Sequence, residues 1–233
     1  MKYLDYINDE IKEYYMILCD NDYPYFIDKY INTKDLKRLE GIGQFCGCDY
    51  TKIYNCKYWY SRLHHSIACA LMTWRFTKDK KQTLASLFHD LGTPAFSHCI
   101  DFLLNDINDV SKYTIIENIK PKICVDRLEG ILHTGLVWIG FWNIKNINRI
   151  YKDISVLVNE DDEKEIGFKN LKIAEYFYRG AYKYSISLQK NENKIVMKFI
   201  SDILYKLIGS NVIKKEDLYN KSEKEIIKII NFN

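Results

Sequence analysis

Apolar residues recur at three- and four-residue steps along most of the chain. Leu63, Ile67, Ala70, Leu71 and Trp74 predict an amphipathic helix over 60–76. Leu84, Leu87, Phe88 and Leu91 predict a second over 80–91, ended by Gly92 and Pro94. The same period predicts helices over 98–105, 122–133, 171–188 and 193–208. A final short helix starts at Ser222, where Ser222 and Glu225 have capping-box spacing. One β signal stands apart: Ile154 to Val158, a polar turn at Asn159–Asp162, and Ile166–Phe168, which together predict a hairpin. With three Pro, no internal repeat and no shift in composition, the expectation is one all-α domain over 1–233 with a small β-hairpin appendage.

Composition adds exclusions. Of 233 residues, 47% are apolar and 28% charged, enough for a packed core and wrong for a disordered chain or a disulfide scaffold. Net charge is only +3, so nucleic acid is not an expected partner. Charges in the first six residues do not suit an export signal, and the longest apolar-rich piece, 135–142, is far short of a bilayer span. A cytoplasmic protein without membrane contact is expected, its seven Cys reduced. Cys46, Cys48 and Cys56 offer three legs of a zinc site, but no fourth stands at finger-like spacing. Trp138, Phe141 and Trp142 read as core or as an oligomer contact.

The chemistry concentrates in the histidines, at 64, 65, 89, 98 and 133. His65 falls early in one predicted helix and His89-Asp90 at the end of the next. Consecutive helices joined by a short turn pack antiparallel, which brings the start of the first beside the end of the second. Two imidazoles and a carboxylate suit a borderline divalent ion: Mn, Fe, Co, Ni or Zn. Asp126, in Val125-Asp126-Arg127-Leu128-Glu129, is the best second carboxylate, because an acid in an apolar helical pattern needs a partner. His64 reads as a helix-surface residue and His133 as structural. His98 reads either as a site residue or as a polar residue in a helical turn capped by Ser97.

Ser61-Arg62-Leu63-His64-His65-Ser66, Leu87-Phe88-His89-Asp90-Leu91-Gly92 and Pro94-Ala95-Phe96-Ser97-His98, in that order, resemble the HD-domain metal-dependent phosphohydrolases. The branch that the chain most resembles is the deoxynucleoside triphosphate triphosphohydrolases, with the resemblance covering about 58–135 and, more loosely, 150–230. The resemblance implies an HD-type helical bundle and one divalent metal ion, Mg included. Its ligands would be His65, His89, Asp90 and Asp126. It further implies a phosphate contact from Arg62, a role suited to a planar guanidinium, and a catalytic His98 oriented by Asp101. The substrate would be a nucleotide or a related phosphate ester, and a homo-oligomer is expected on the same ground. Alternatives are a phosphodiesterase of the same fold acting on a cyclic or linear dinucleotide, and a non-catalytic nucleotide- or metal-binding protein. The chain departs from the branch at Thr93, where a further His is usual, and in a short Asp90–Asp126 interval whose only Glu is Glu117.

Overall fold

The computed structural model describes residues 2–52, 55–102 and 113–231, with backbone only at 101 and 102. Helices α1 (Asp9–Leu18), α2 (Asp28–Ile31) and α3 (Lys34–Leu39) lead into α4 (Arg62–Thr77) and α5 (Lys80–Phe88). After a 3-10 turn at Ser97–Phe102 come α6 (Val125–Val137) and α7 (Ile144–Asp153). Strands β1 (Ile154–Val158) and β2 (Lys164–Phe168) precede α8 (Leu171–Gln189), α9 (Asn191–Gly209), α10 (Asp217–Asn220) and α11 (Glu223–Asn231). The protein is thus mostly helical with one small antiparallel sheet, and no described helix is long and apolar enough to cross a membrane.

Helix α4 is the axis of the main core. Every residue from Arg62 to Thr73 is buried, so this is an internal helix rather than the amphipathic one that its spacing predicts. Its Ile67, Cys69, Ala70 and Leu71 lie in one apolar cluster with Tyr14, Leu36, Leu128, Leu132 and Ile147 from α1, α3, α6 and α7. All-round burial suits the small run Ala68-Cys69-Ala70 between larger Ile67 and Leu71, because neighbours approach from every side.

Local chemistry sets the ends of α4. The Ser61 side chain accepts from His64 N–H at 3.3 Å, while the His64 ring accepts from Ser61 N–H at 3.1 Å. This reciprocal cap satisfies two donors that helix geometry leaves free. It corrects the surface reading of His64, which is buried, and burial pushes its ring down to about 4. Helix α5 stops at Phe88, so His89 is its C-cap and Asp90 lies in the following turn, not in the last helical turn. Arg38 holds that turn by donating to the carbonyls of Leu91 (3.1 Å) and Thr93 (2.8 Å).

The hairpin pairs Ile154 with Phe168 and Val156 with Ile166, as the pattern predicts. Buried Ile166 makes it part of the main core rather than a free appendage. Trp142 is also core, stacked on Phe177 and lying so close to Gly180 that a Cβ there would stand 2.1 Å from its ring.

A second cluster joins α9, α10 and α11 to the segment before the site: Ala95, Phe96, Cys99 and Ile100 pack with Leu204, Leu218 and Ile226. Glu223, fully buried at the start of α11, accepts from Gly43 N–H (3.1 Å) and Phe96 N–H (2.9 Å). Phe96 and Ser97 have positive φ, 65° and 43°, and Gly47 (φ 80°) would place a Cβ 2.8 Å from the Phe96 ring. Left-handed backbone at a Phe is costly and persists only where surroundings impose it. The predicted helix 98–105 is a 3-10 turn as far as Phe102, and 103–105 lie outside the described residues.

Candidate metal centre

Helices α4 and α5 pack together with the start of α4 beside the end of α5, where Arg62 meets Asp90 and His65 meets His89, and α6 contacts α4 at His65. The Val125 and Asp126 N–H groups donate to Ile115 (2.8 Å) and Ile116 (3.2 Å) carbonyls, which anchors the first turn of α6. Asp126 stands in that turn, where the helix dipole favours a carboxylate. Glu129 follows three residues later on the same helix face.

These two acids bracket one imidazole. His65 Nε2 lies 2.9 Å from Asp126 Oδ1, and its Nδ1 donates to Glu129. Glu129 is fully buried and also accepts from Tyr60 (2.7 Å) and Tyr14 (3.2 Å) hydroxyls. His89 Nδ1 donates to the Ser86 carbonyl at 2.7 Å. Both rings therefore have their Nδ1 protons committed, and both turn Nε2 toward Asp126, at 2.9 and 3.6 Å. The His89 Nε2 is buried, with Asp126 and Asp90 facing it just beyond hydrogen-bond distance.

Asp90 completes the group. Its Oδ1 is 3.8 Å from His89 Nε2 and its Oδ2 4.0 Å from His65 Nε2. Around one ion with bonds of ~2.0–2.2 Å, ligand atoms stand ~3–4 Å apart, so these separations suit a shared cation. Asp90 Oδ2 also receives Arg62 Nη1 at 3.0 Å, and its Oδ1 receives the Thr93 hydroxyl at 3.2 Å. Arg62 Nε is buried with no protein acceptor.

Electrostatics agree with a cation site. Burial alone would favour neutral His65, yet Cys69, Glu129 and the Asp126 hydrogen bond hold the ring well above the usual histidine range. His89 is raised against burial by Asp90 and Asp126. Burial would also raise Asp126, but the hydrogen bonds of His65 and His89 hold its carboxyl well below the usual range. His89 and Arg62 do the same for Asp90, again against burial. A divalent ion in the group replaces those imidazole protons, so the field that retains them also favours a metal.

The fold thus brings His65, His89, Asp90, Asp126 and Arg62 together. His98 stands exposed in the 3-10 turn and is not one of the mutually close donors, and the Asp101 side chain lies outside the described residues. Cys46, Cys48 and Cys56 do not form a metal group; none of the seven Cys is in a disulfide, and six of them are buried. His133 is buried and stacked on Tyr60, a structural position. Arg127, next to Asp126, turns away to the carbonyls of Asn118 (2.8 Å) and Lys122 (2.7 Å).

Sequence reasoning missed two members. Glu129 falls in phase with the apolar positions Val125, Leu128 and Leu132, a signal as good as that of Asp126. Cys69, one turn after His65 on α4, has its Sγ 3.6 Å from His65 Nε2. His65, Cys69, His89 and Asp126 present donor atoms all within 4.8 Å of one another, a buried group able to hold a metal ion. At the rim, half-buried Glu117 is raised by burial and by Asp126, and half-buried Tyr184 of α8 is pushed up to about 12 by burial and by Asp126.

No protein-family model matches this chain. It is similar to the uncharacterized protein YdhJ of Bacillus subtilis (strain 168), 22% identical over 238 residues, a match that covers 88% of this chain and 70% of that protein.

Proposed function

We propose that the protein is a metal-dependent phosphohydrolase of the HD type, acting on a nucleotide or a related phosphate ester. One observation carries the reading: two histidine Nε2 atoms with fixed tautomers converge on Asp126 and Asp90, beside a buried arginine with an uncommitted N–H. His65, His89, Asp90 and Asp126 would hold the ion. When bound, such an ion lowers the pKa of a coordinated water and offsets charge on a phosphoryl oxygen.

The protein groups do the remaining work. Glu129 and the Ser86 carbonyl keep the two imidazoles oriented and their Nε2 atoms free. Asp90 ties Arg62 to the centre, so the guanidinium fork sits where a phosphate must lie to reach the ion. The Ile42 carbonyl fixes Arg62 further by accepting its backbone N–H at 2.9 Å. Glu117, set beside Asp126 by the Ile116 hydrogen bond, would accept a proton at the rim. With a net charge of +3, the substrate is a small molecule rather than a nucleic acid.

A hydrolysis panel tests this: deoxynucleoside and ribonucleoside triphosphates, monophosphates and cyclic dinucleotides with Mn²⁺, alongside Asp90→Ala. Turnover of a mononucleotide that disappears in Asp90→Ala supports the reading. Turnover confined to dinucleotides moves the assignment to a phosphodiesterase. Silence from metal-loaded protein refutes catalysis and leaves a nucleotide- or metal-binding protein.

A further inference from the structure

We infer that the outer face of α8 docks a second copy of this chain, the two α8 helices packing antiparallel about a twofold axis with Tyr178 of each against Tyr182 of the other. This surface is separate from the metal centre and does not depend on the function proposed for it.

Helix α8 is apolar on two opposite faces. Ile173, Phe177, Gly180 and Ala181 share its inner face, and all four are buried. At about 100° per residue, Leu171, Tyr178 and Tyr182 fall within about 40° of one another on the opposite side, with Ile186 beside them. These four are 74%, 51%, 67% and 47% exposed. They form a ridge about 22 Å long at ~1.5 Å per residue. A surface helix of a monomer keeps its outward face polar, and a second apolar stripe marks a surface that another molecule covers. Tyr184, at the rim of the metal centre, stands on the inner face, so docking on the ridge leaves the site clear.

Size and charge commit the ridge to a second copy. Aromatic side chains of ~150–250 Å² at these exposures, with Leu171 and Ile186 alongside, present about 400–600 Å² of apolar surface, the upper end of what a monomer leaves open. With its charged flank of Lys172, Glu175, Arg179 and Lys183, all exposed, the face approaches the ~800 Å² per partner of a stable complex. The ridge is centred near Gly180, so a twofold axis there sets Tyr178 opposite Tyr182 of the second copy, twice. Glu175, the one acid of α8, then falls ~3 Å along the axis from the level of Lys183 of the second copy, on the same flank. The Phe141 ring, 4.5 Å from the Lys183 ammonium, holds that cation at the flank. Two such Glu–Lys pairs match the copies to each other, whereas an acid at the ridge opposes an anionic lipid surface. Helix α9 also exposes Ile195, Phe199 and Tyr205, but Lys194, Lys198 and Lys206 interrupt them, so its outward face lacks a continuous ridge.

The test is sedimentation equilibrium of the full chain from ~1 to ~100 µM, which reaches the weak end of affinities for interfaces of this size. Twice the chain mass of 27.8 kDa is expected at the top of that range. Tyr182→Glu, at an exposed position that leaves the core intact, should raise the dissociation constant about 100-fold or more, as loss of a central tyrosine does. Circular dichroism checks that the variant is folded. Glu175→Lys and Lys183→Glu should each weaken the dimer by ~2–10-fold, and the double exchange should restore it. A wild type that stays monomeric at the highest concentration overturns the inference. Binding to phosphatidylserine vesicles that Tyr182→Glu abolishes would then assign the ridge to a lipid surface. A dimer untouched by Tyr182→Glu but broken by Phe199→Glu overturns it by placing the seam on α9. A dimer broken by Tyr182→Glu, in which the double charge exchange restores nothing, overturns the antiparallel register.

Discussion

Glu129→Gln isolates the role of a residue that touches neither ion nor substrate. The glutamine keeps the shape of the side chain but removes its charge and replaces one acceptor oxygen with an NH₂ donor. Wild-type Glu129 accepts from three donors: Tyr60 at 2.7 Å and Tyr14 at 3.2 Å on one oxygen, and His65 Nδ1 on the other. If the amide oxygen serves the tyrosines, NH₂ faces His65, the ring must carry its proton on Nε2, and the ligand atom is lost. If the amide oxygen serves His65, the tyrosine hydroxyls must rotate to accept, and the imidazole becomes a weaker base without the carboxylate behind it. Either arrangement should weaken metal binding by about 10–100-fold, or ~1.4–2.7 kcal/mol. Glu129→Ala is the harsher change, because three buried donors then lose their acceptor at ~1–3 kcal/mol each, and it should fail to fold. The assay is Zn²⁺ competition against a chromophoric chelator, with thermal melts to confirm that Glu129→Gln is folded. A folded Glu129→Gln that binds Zn²⁺ within twofold of wild type would refute the claim that this carboxylate orients a ligand.

Four further outcomes are expected. Arg62→Lys should retain the metal and lose about 10–100-fold in kcat/KM, the loss of one charge-assisted contact of ~1.5–3 kcal/mol; unchanged kinetics on the best substrate would remove Arg62 from phosphate binding. Glu117→Gln should cut kcat by about 10²-fold or more with the metal retained, and an unaffected rate would pass the proton-transfer role to another residue, His98 foremost. Burial holds the Glu223 carboxyl at about 7 against an ordinary 4.5. The raised folded value means stability that is fully present below about 4.5 and is lost as pH rises to about 7, ~3 kcal/mol at most. Melts of Glu223→Gln should therefore improve relative to wild type between pH 5 and pH 8, and a pH-independent difference would count against this. Gly180→Ala should lower stability by about 1–3 kcal/mol, because the added Cβ meets the Trp142 ring at 2.1 Å; a higher melting temperature would mean that helix propensity, worth ~1 kcal/mol, outweighs packing.

What could be read in the sequence follows from where water lies. Helices α8 and α9 keep one face wet, so their period is plain and their limits fall within a few residues of those predicted. The Ser222–Glu225 cap and the hairpin are local contracts between neighbours, and both are present. Helix α4 has no wet face over most of its length, so an amphipathic reading misjudged its place although its span was right. Helix α7 has a clear phase in Ile147, Ile150 and Tyr151 and an Asn143 cap, signals that the neighbouring Trp and Phe cluster obscured. At the site, one antiparallel packing rule brings His65 to His89 and Asp90 in advance, and Asp126 shows itself as an acid within an apolar helical pattern. Glu129 and Cys69 could not be ranked that way, because a buried acid or thiol declares its role only when its partner on another helix is known. His64 shows the converse: an attractive residue beside a ligand, spent on capping its own helix.

The most direct test of the metal centre is elemental analysis of folded protein purified without chelator or added metal. About one transition ion per chain, absent from a folded His89→Ala, is the result expected. A native, cooperatively melting wild type that carries no ion, and takes none up from Zn²⁺ or Mn²⁺, would contradict a metal role for the converging histidines and aspartates.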